Sequence, residues 1–253
     1  MKKNISVALY WWLILICFTW SGHVYSGCSD EAKPFVNWAN CDLTEIDMKN
    51  KDLTGVNLAG ATLDGADFSG SRLEHADLNF ASMKGTRFDG ARMTGARMVG
   101  VKASETSFKG AILNEAKFGR SQLDAADFSR ARAEKADFYN ARLTAADFSG
   151  ARLKQANFEQ ADLHAAIFDS AVLHKAGFKN SQLSEARFAG ADLSKAVLDD
   201  ARCQDTDFSG ADLTKASLRE AEIEDANFSE AILSDTTWSN YKRCRSSSIG
   251  VCE

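Results

Sequence analysis

The 253-residue chain has a single proline, only four histidines and no apolar run longer than the fourteen residues from Val7 to Trp20. One Pro beside 17 Gly excludes a collagen-like chain, and a composition 45% hydrophobic and 10% aromatic excludes intrinsic disorder. Six cysteines in a chain of this length are too few for a small disulfide mini-protein. No glycine-rich phosphate loop, paired metal motif or dinucleotide fingerprint occurs. Charge is plentiful, at 26% of residues, but an excess of one sign is lacking. The net charge is −5, or −7 once Lys2 and Lys3 are set aside, so there is no bulk electrostatic reason to bind nucleic acid or an anionic membrane.

What is present begins with an address. Lys2 and Lys3 precede the apolar run, whose fourteen residues would cover about 21 Å as a helix, short of the roughly 30 Å hydrocarbon core. Val24 and Ser26 stand at the −3 and −1 positions of a signal-peptidase site. Residues 1–26 therefore read as a cleaved export signal, which places the mature chain in the periplasm or outside the cell. An uncleaved anchor is one alternative. A lipid anchor at Cys28 is another, because Ser26-Gly27-Cys28 resembles the end of a lipobox, although Tyr25 stands where that motif carries an aliphatic residue. No later segment could span a bilayer.

A period of five fills almost all the rest. The central residues of the units fall at 43, 48, 53 and onward to 238 without a slip, forty positions holding 18 Leu, 13 Phe, 4 Met and only two Ala. Two residues before each of them, 28 of the forty positions are Ala. On an α-helix this period would scatter the Leu and Phe residues around the cylinder, and on one continuous strand it would send them to alternate faces. The solution is a chain that bends once per unit. The Ala and the Leu or Phe point inward, the residue between them points outward, and the last two make a polar turn.

Units such as Ala146-Asp147-Phe148-Ser149-Gly150 and Ala211-Asp212-Leu213-Thr214-Lys215 carry a resemblance. The chain is similar to pentapeptide repeat proteins, whose motif is Ala-Asp/Asn-Leu/Phe-X-X, over about residues 36–238. That resemblance implies an all-β, right-handed, four-sided β-helix with four units to a coil, so forty units make about ten coils. Over 108–228 the central positions ending in 8 are nearly all Phe and those ending in 3 mostly Leu, which puts Phe on one opposing pair of walls and Leu on the other. Arg replaces the outward Asp or Asn at several units, among them Arg72, Arg92, Arg132 and Arg152.

Four segments follow: a signal peptide at 1–26, an N-terminal cap at 27–40, the β-helix at 41–238 and a tail at 239–253. Open ends of a solenoid require caps. Phe35 and Trp38 are placed to close the first coil, and Trp238 should lie on the same wall as Trp38 at the other end. Cys28 and Cys41 flank the front cap and Cys244 and Cys252 bracket the tail, so disulfides Cys28–Cys41 and Cys244–Cys252 are expected in an exported chain, with free thiols as the alternative. Cys203 takes a central inward position and should behave as a small buried hydrophobe.

Little in the sequence points to chemistry. His164 and His174 lie two units apart, on opposing walls, and His75 falls at a turn some coils away, so no metal or cofactor site is expected and the chain reads as a non-enzyme. The outward positions carry the functional signal. Ile167, Val172 and Val197, around Gly177, put apolar residues where Asp is usual and form the candidate interaction surface. The leading expectation is an exported scaffold presenting a rigid surface to a protein or envelope component. A DNA-mimicking modulator of DNA gyrase or a related topoisomerase, an activity the resemblance suggests, is the alternative, and a secreted effector is a further one. The export signal and the Arg residues within the acidic columns argue against the DNA mimic.

Overall fold

The computed structural model describes residues 27–253, and the export signal expected for residues 1–26 lies outside the described residues. From Asn37 onward, every outward residue pairs in parallel with the residue twenty positions later, without a break to Ser217. Four walls result, named here by their outward residues: wall 1 from Asn37 to Thr237, wall 2 from Asp42 to Glu222, wall 3 from Asp47 to Asn227 and wall 4 from Asp52 to Ile232. The all-β expectation needs one correction. Among the described residues pairing is by isolated single residues and no extended strand forms, because only three residues separate one turn from the next.

Backbone groups are accounted for unit by unit. The outward N–H reaches back one coil (Asn57 N to Val36 O, 3.0 Å), and the central N–H reaches forward (Trp38 N to Asn57 O, 2.7 Å). The fifth N–H also reaches forward (Asn40 N to Ala59 O, 2.9 Å), while the first closes the turn (Ala61 N to Leu58 O, 3.0 Å). That leaves the fourth N–H. It donates to the carboxylate or amide oxygen of the outward residue two positions earlier, as Thr44 does to Asp42 (3.1 Å) and Ser149 to Asp147 (2.8 Å). The outward Asp or Asn is thus the acceptor for the one backbone donor the coil cannot satisfy.

The fifth residue of every unit from Phe35 to Asp235 has a positive φ, the conformation required at the third residue of a type II turn. Many of these positions are not glycine. Ala125, Ala145 and Ala165 sit there at φ 53°, 55° and 54°, where a Cβ costs about 1–2 kcal/mol. Substituting all three with glycine is therefore expected to stabilise the protein, by about 0.5–1 kcal/mol per site after the added flexibility of the unfolded chain is subtracted. The reverse change at Gly110 (φ 65°), whose added Cβ would meet no atom within 4 Å, should destabilise by a similar amount. Urea unfolding of both variants checks the pair, and a destabilised triple-glycine protein would refute the account.

Inside, the phenylalanines form two stacks. One runs along wall 3 from Phe68 to Phe228 at every twentieth residue, with centroids 4.7–5.3 Å apart; the other runs along wall 1 from Phe118 to Phe178 at 4.8–5.1 Å. Rings ten residues apart meet edge to face, as Phe128 and Phe138 do at 5.5 Å, which sets walls 1 and 3 opposite one another across the core. Buried hydroxyls at the first position are also satisfied: Thr86 and Thr106 donate to Leu63 O and Met83 O one coil below.

The two ends differ. Cys28 and Cys41 are joined, and Trp38 is buried as the central residue of its unit. Phe35 does not close the coil. It occupies a turn position and is 76% exposed, its ring lying over Gly55 of the next coil, where a Cβ would come within 2.5 Å of it. At the other end Trp238 tilts against Phe228 at 4.9 Å. The tail folds back over walls 4 and 1, pairing Ile249 with Ile232 and Arg243 with Thr237, and Cys244 is joined to Cys252.

Candidate interaction surface

The three apolar residues expected to form a surface stand on three different walls. Two outward residues share a wall only when twenty positions, or a multiple of twenty, separate them. Ile167 therefore lies on wall 3, Val172 on wall 4 and Val197 on wall 1, with Ile167 and Val197 on opposite walls. Val197 stacks on Gly177, and Val172 and Val197 are each 38% exposed, but each is a single apolar residue in a polar setting.

The ordered feature of the surface is its charge. An outward Arg pairs with an acid at the fourth position of the unit one coil back, eighteen residues earlier: Arg92 with Glu74 at 2.8 Å, Arg142 with Asp124 at 2.6 Å, Arg152 with Glu134 at 3.1 Å and Arg187 with Asp169 at 2.5 Å. That same fourth position takes over the backbone role of a missing outward Asp. Asp169 accepts from Ala189 N at 3.2 Å beside Arg187, and Asn114 accepts from Glu134 N at 3.0 Å beside Arg132. Five of the nine Arg replacements are thus matched by an acid or amide eighteen positions upstream, a sixth, Arg97, by Asn79 there, and Arg72, Arg87 and Arg202 pair instead with Asp52, Asp89 and Glu222. Exposed pairs of this kind contribute little stability individually; their effect is to hold side chains in place.

These charges are banded along the solenoid. Residues 27–83 carry 4 basic and 10 acidic side chains, residues 84–154 carry 14 and 8, and residues 155–253 carry 10 and 17. A basic waist separates two acidic ends. On wall 4 and its turns the waist presents Arg130, Arg132 and Lys154, all exposed and without an ion-pair partner among the described residues.

Other candidates are self-satisfied. A shallow polar cleft is lined by Lys179, Asp199, Asp200, Arg219, Glu220 and Tyr241. Its nearly buried Asp199 accepts from Ser217 Oγ (2.5 Å) and from Arg219 Nε and Nη2 (3.0 and 2.6 Å). Burial acts to raise the Asp199 carboxyl, but the Arg219 and Ser217 hydrogen bonds and the guanidinium charge outweigh it and hold the group below the usual carboxylate range. Cys203 is fully buried, and desolvation pushes its thiol up to about 12. His164 and His174 stand on walls 2 and 4, and His174 Nδ1 is 2.8 Å from Ser194 Oγ. Among the described residues no group of three or more His, Cys, Asp or Glu could hold a metal, and no helix is long and apolar enough to cross a membrane.

A stacked column of five-residue turns, filled by Leu and Phe and lined by Asp or Asn acceptors, defines a pentapeptide repeat solenoid. Family models agree. Pentapeptide repeats are matched at residues 39–74, 71–110, 111–150 and 121–160, and a pentapeptide repeat region at 151–228. The chain belongs to the pentapeptide repeat family. Among solved structures it is similar to HetL, a pentapeptide repeat protein involved in heterocyst differentiation regulation from the cyanobacterium Nostoc sp. strain PCC 7120, at 28% identity over 83% of this chain and 92% of that one, with a TM-score of 0.46. It is also similar to trypsin-treated QnrB1, a plasmid-mediated fluoroquinolone resistance protein, at 23% identity over 62% and 81% of the two chains, TM-score 0.47. A pentapeptide repeat protein of the Arabidopsis thaliana thylakoid lumen matches at 22% identity over 53% and 72%, TM-score 0.22. Comparison with curated protein sequences gave no match.

Proposed function

We propose that the protein is an exported, non-enzymatic scaffold, a right-handed column of about ten coils (four units each) that binds an acidic protein or envelope component through the basic waist on wall 4. The observation that carries this reading is the set Arg130, Arg132 and Lys154, unpaired on a chain whose two ends are acidic. The other eight outward Arg residues are each in an ion pair, four of them with an acid eighteen residues upstream; Arg132 is in none among the described residues and has Asn114 at that upstream position. A packed interior leaves recognition to the outside, and fixed charge on a stiff frame favours specificity and encounter rate. The basic waist also interrupts the continuous acidic surface a DNA mimic needs. Disulfides at both ends support an oxidising compartment for the mature chain.

The test is capture from an envelope fraction by the disulfide-intact mature chain, beside a variant carrying Arg130→Glu, Arg132→Glu and Lys154→Glu. Loss of the retained partner in the variant is the expected result. Equal retention by both, or residence of the native protein in the cytoplasm, would overturn the proposal.

A further inference from the structure

Two turns of the solenoid carry uncompensated ladders of like charge on the same coils. Lys175, Lys195 and Lys215 occupy the turn after wall 4, one above another, each fully outward. Their backbones are in direct register: Lys175 N donates to Ser194 O at 3.0 Å and Lys195 N to Thr214 O at 2.9 Å. Glu185, Asp205 and Asp225 occupy the turn after wall 2 in the same way, with Glu185 N on Gln204 O at 3.0 Å and Asp205 N on Glu224 O at 3.1 Å. Ten residues, half a coil, separate each lysine from its acid, so the two ladders stand at diagonally opposite corners.

Neither ladder is neutralised by an ion pair; the rung above Lys215 is Asp235, but its carboxylate is paired with Arg243 at 3.5 Å. None of the six side chains is in an ion pair among the described residues, although the repeat supplies such pairs freely elsewhere. Acids beside the lysines are already engaged. Asp192 accepts from Ser194 N and Oγ at 3.0 and 2.5 Å, and Asp212 from Thr214 N at 2.8 Å. Beside the acidic ladder, Arg187 is held by Asp169 at 2.5 Å and Arg202 lies 3.9 Å from Glu222. Like charges stacked at the spacing of adjacent coils, about 4.8 Å, repel one another. Stacking three in a row is unfavourable unless a counter-ladder meets it.

We propose that the counter-ladder belongs to a second copy of this chain. Because both ladders repeat at the pitch of one fold and climb the same three coils, a sideways translation with no rotation sets the lysine corner of one rod against the acidic corner of the next, rung to rung. The wall that follows the lysines carries Gly177, Val197 and Ser217, none of them long or charged, which leaves room for close approach. Such a contact is heterologous and does not close on itself, so copies add in a row of parallel rods. This inference is independent of the wall 4 waist, which uses other residues.

The experiment is sedimentation of the disulfide-intact mature chain over a concentration series at about 0.01 M and about 1 M ionic strength, where the Debye length is about 30 Å and about 3 Å. Concentration-dependent growth beyond a dimer is expected at the low value, and a monomer at the high one. Two triple reversals are compared, Lys175→Glu, Lys195→Glu, Lys215→Glu and Glu185→Lys, Asp205→Lys, Asp225→Lys. Each alone should remain monomeric, since both its corners then carry one sign, and an equimolar mixture of the two should associate again. These positions are exposed turn tips that already tolerate Lys and Glu at positive φ, so both variants should fold. The neutral variant with Lys175, Lys195 and Lys215 all changed to Gln should associate at least tenfold more weakly than the wild type. A wild-type monomer throughout, association insensitive to salt, a closed dimer, or no rescue on mixing would each overturn the proposal.

Discussion

Replacing Phe148 with alanine is expected to cost about 3–5 kcal/mol of folding stability, the range for removing a fully buried phenylalanine from a packed core. Phe148 stacks on Phe128 at 4.7 Å and on Phe168 at 4.8 Å, and meets Phe138 and Phe158 edge to face at 5.7 and 5.5 Å. Each aromatic pair adds about 0.5–1.5 kcal/mol to simple burial, though four pairs sharing one ring do not sum. The surrounding walls are tied by backbone hydrogen bonds on every side, so the space cannot collapse. Phe228→Ala at the end of the same stack is the control: Phe228 is 8% exposed and touches one phenylalanine and a tilted Trp238. Since a solenoid is stabilised by contacts between neighbouring coils, the interior substitution should cost at least twice as much as the terminal one. Chemical unfolding of both variants decides the matter, and equal losses would show that the stack does not act as a continuous column.

The interior of this protein was legible because a period of five admits only one arrangement of bulky residues, and that arrangement survives the variation at every other position. The turns were less legible. Their fifth residues include Gly, Asn, Lys, Glu, Ala and even Phe80, yet all adopt positive φ, so the conformation is imposed by position in the coil and not by residue preference. Phe35 misled for the same reason: it is aromatic and near the end, but its place in the unit sends it outward. The outward Asp was read as surface when it is the acceptor for the fourth N–H, a relation visible only once the backbone is counted donor by donor. The apolar surface failed through spacing. Ile167 and Val172, five residues apart, do fall on neighbouring walls of one coil, but Val197 lies on wall 1, opposite Ile167, so the three share no single face. The Arg and acid pairs at a separation of eighteen obey the same geometry and could have been found from it.

Removing the Cys244–Cys252 disulfide by a double substitution to serine is expected to cost about 2–3 kcal/mol from the eight-residue separation alone, on the chain-entropy account. Its second consequence concerns the end of the solenoid. The tail supplies the last backbone partners of walls 4 and 1, with Leu233 N on Ser248 O at 2.9 Å, Cys244 N on Thr236 O at 2.9 Å and Gly250 N on Ala231 O at 2.9 Å. Without the bridge these few bonds must hold the tail against its own chain entropy, and release would bare a pairing edge beside Trp238 and Leu233. The double variant should therefore become association-prone at its C-terminal end, measured by sedimentation at about 1 M ionic strength, where charge-driven contacts are screened. Truncation after Trp238 should reproduce that behaviour, because it removes the same partners. The Cys28→Ser and Cys41→Ser pair provides the contrast: its thirteen-residue separation predicts a similar loss of stability. No backbone pairing of residues 27–34 with the outward residues of the first coil is lost there, since none is present among the described residues. Equal association by both disulfide variants would refute a capping role for the tail, and a loss of stability without association would leave the bridge with the entropic role alone.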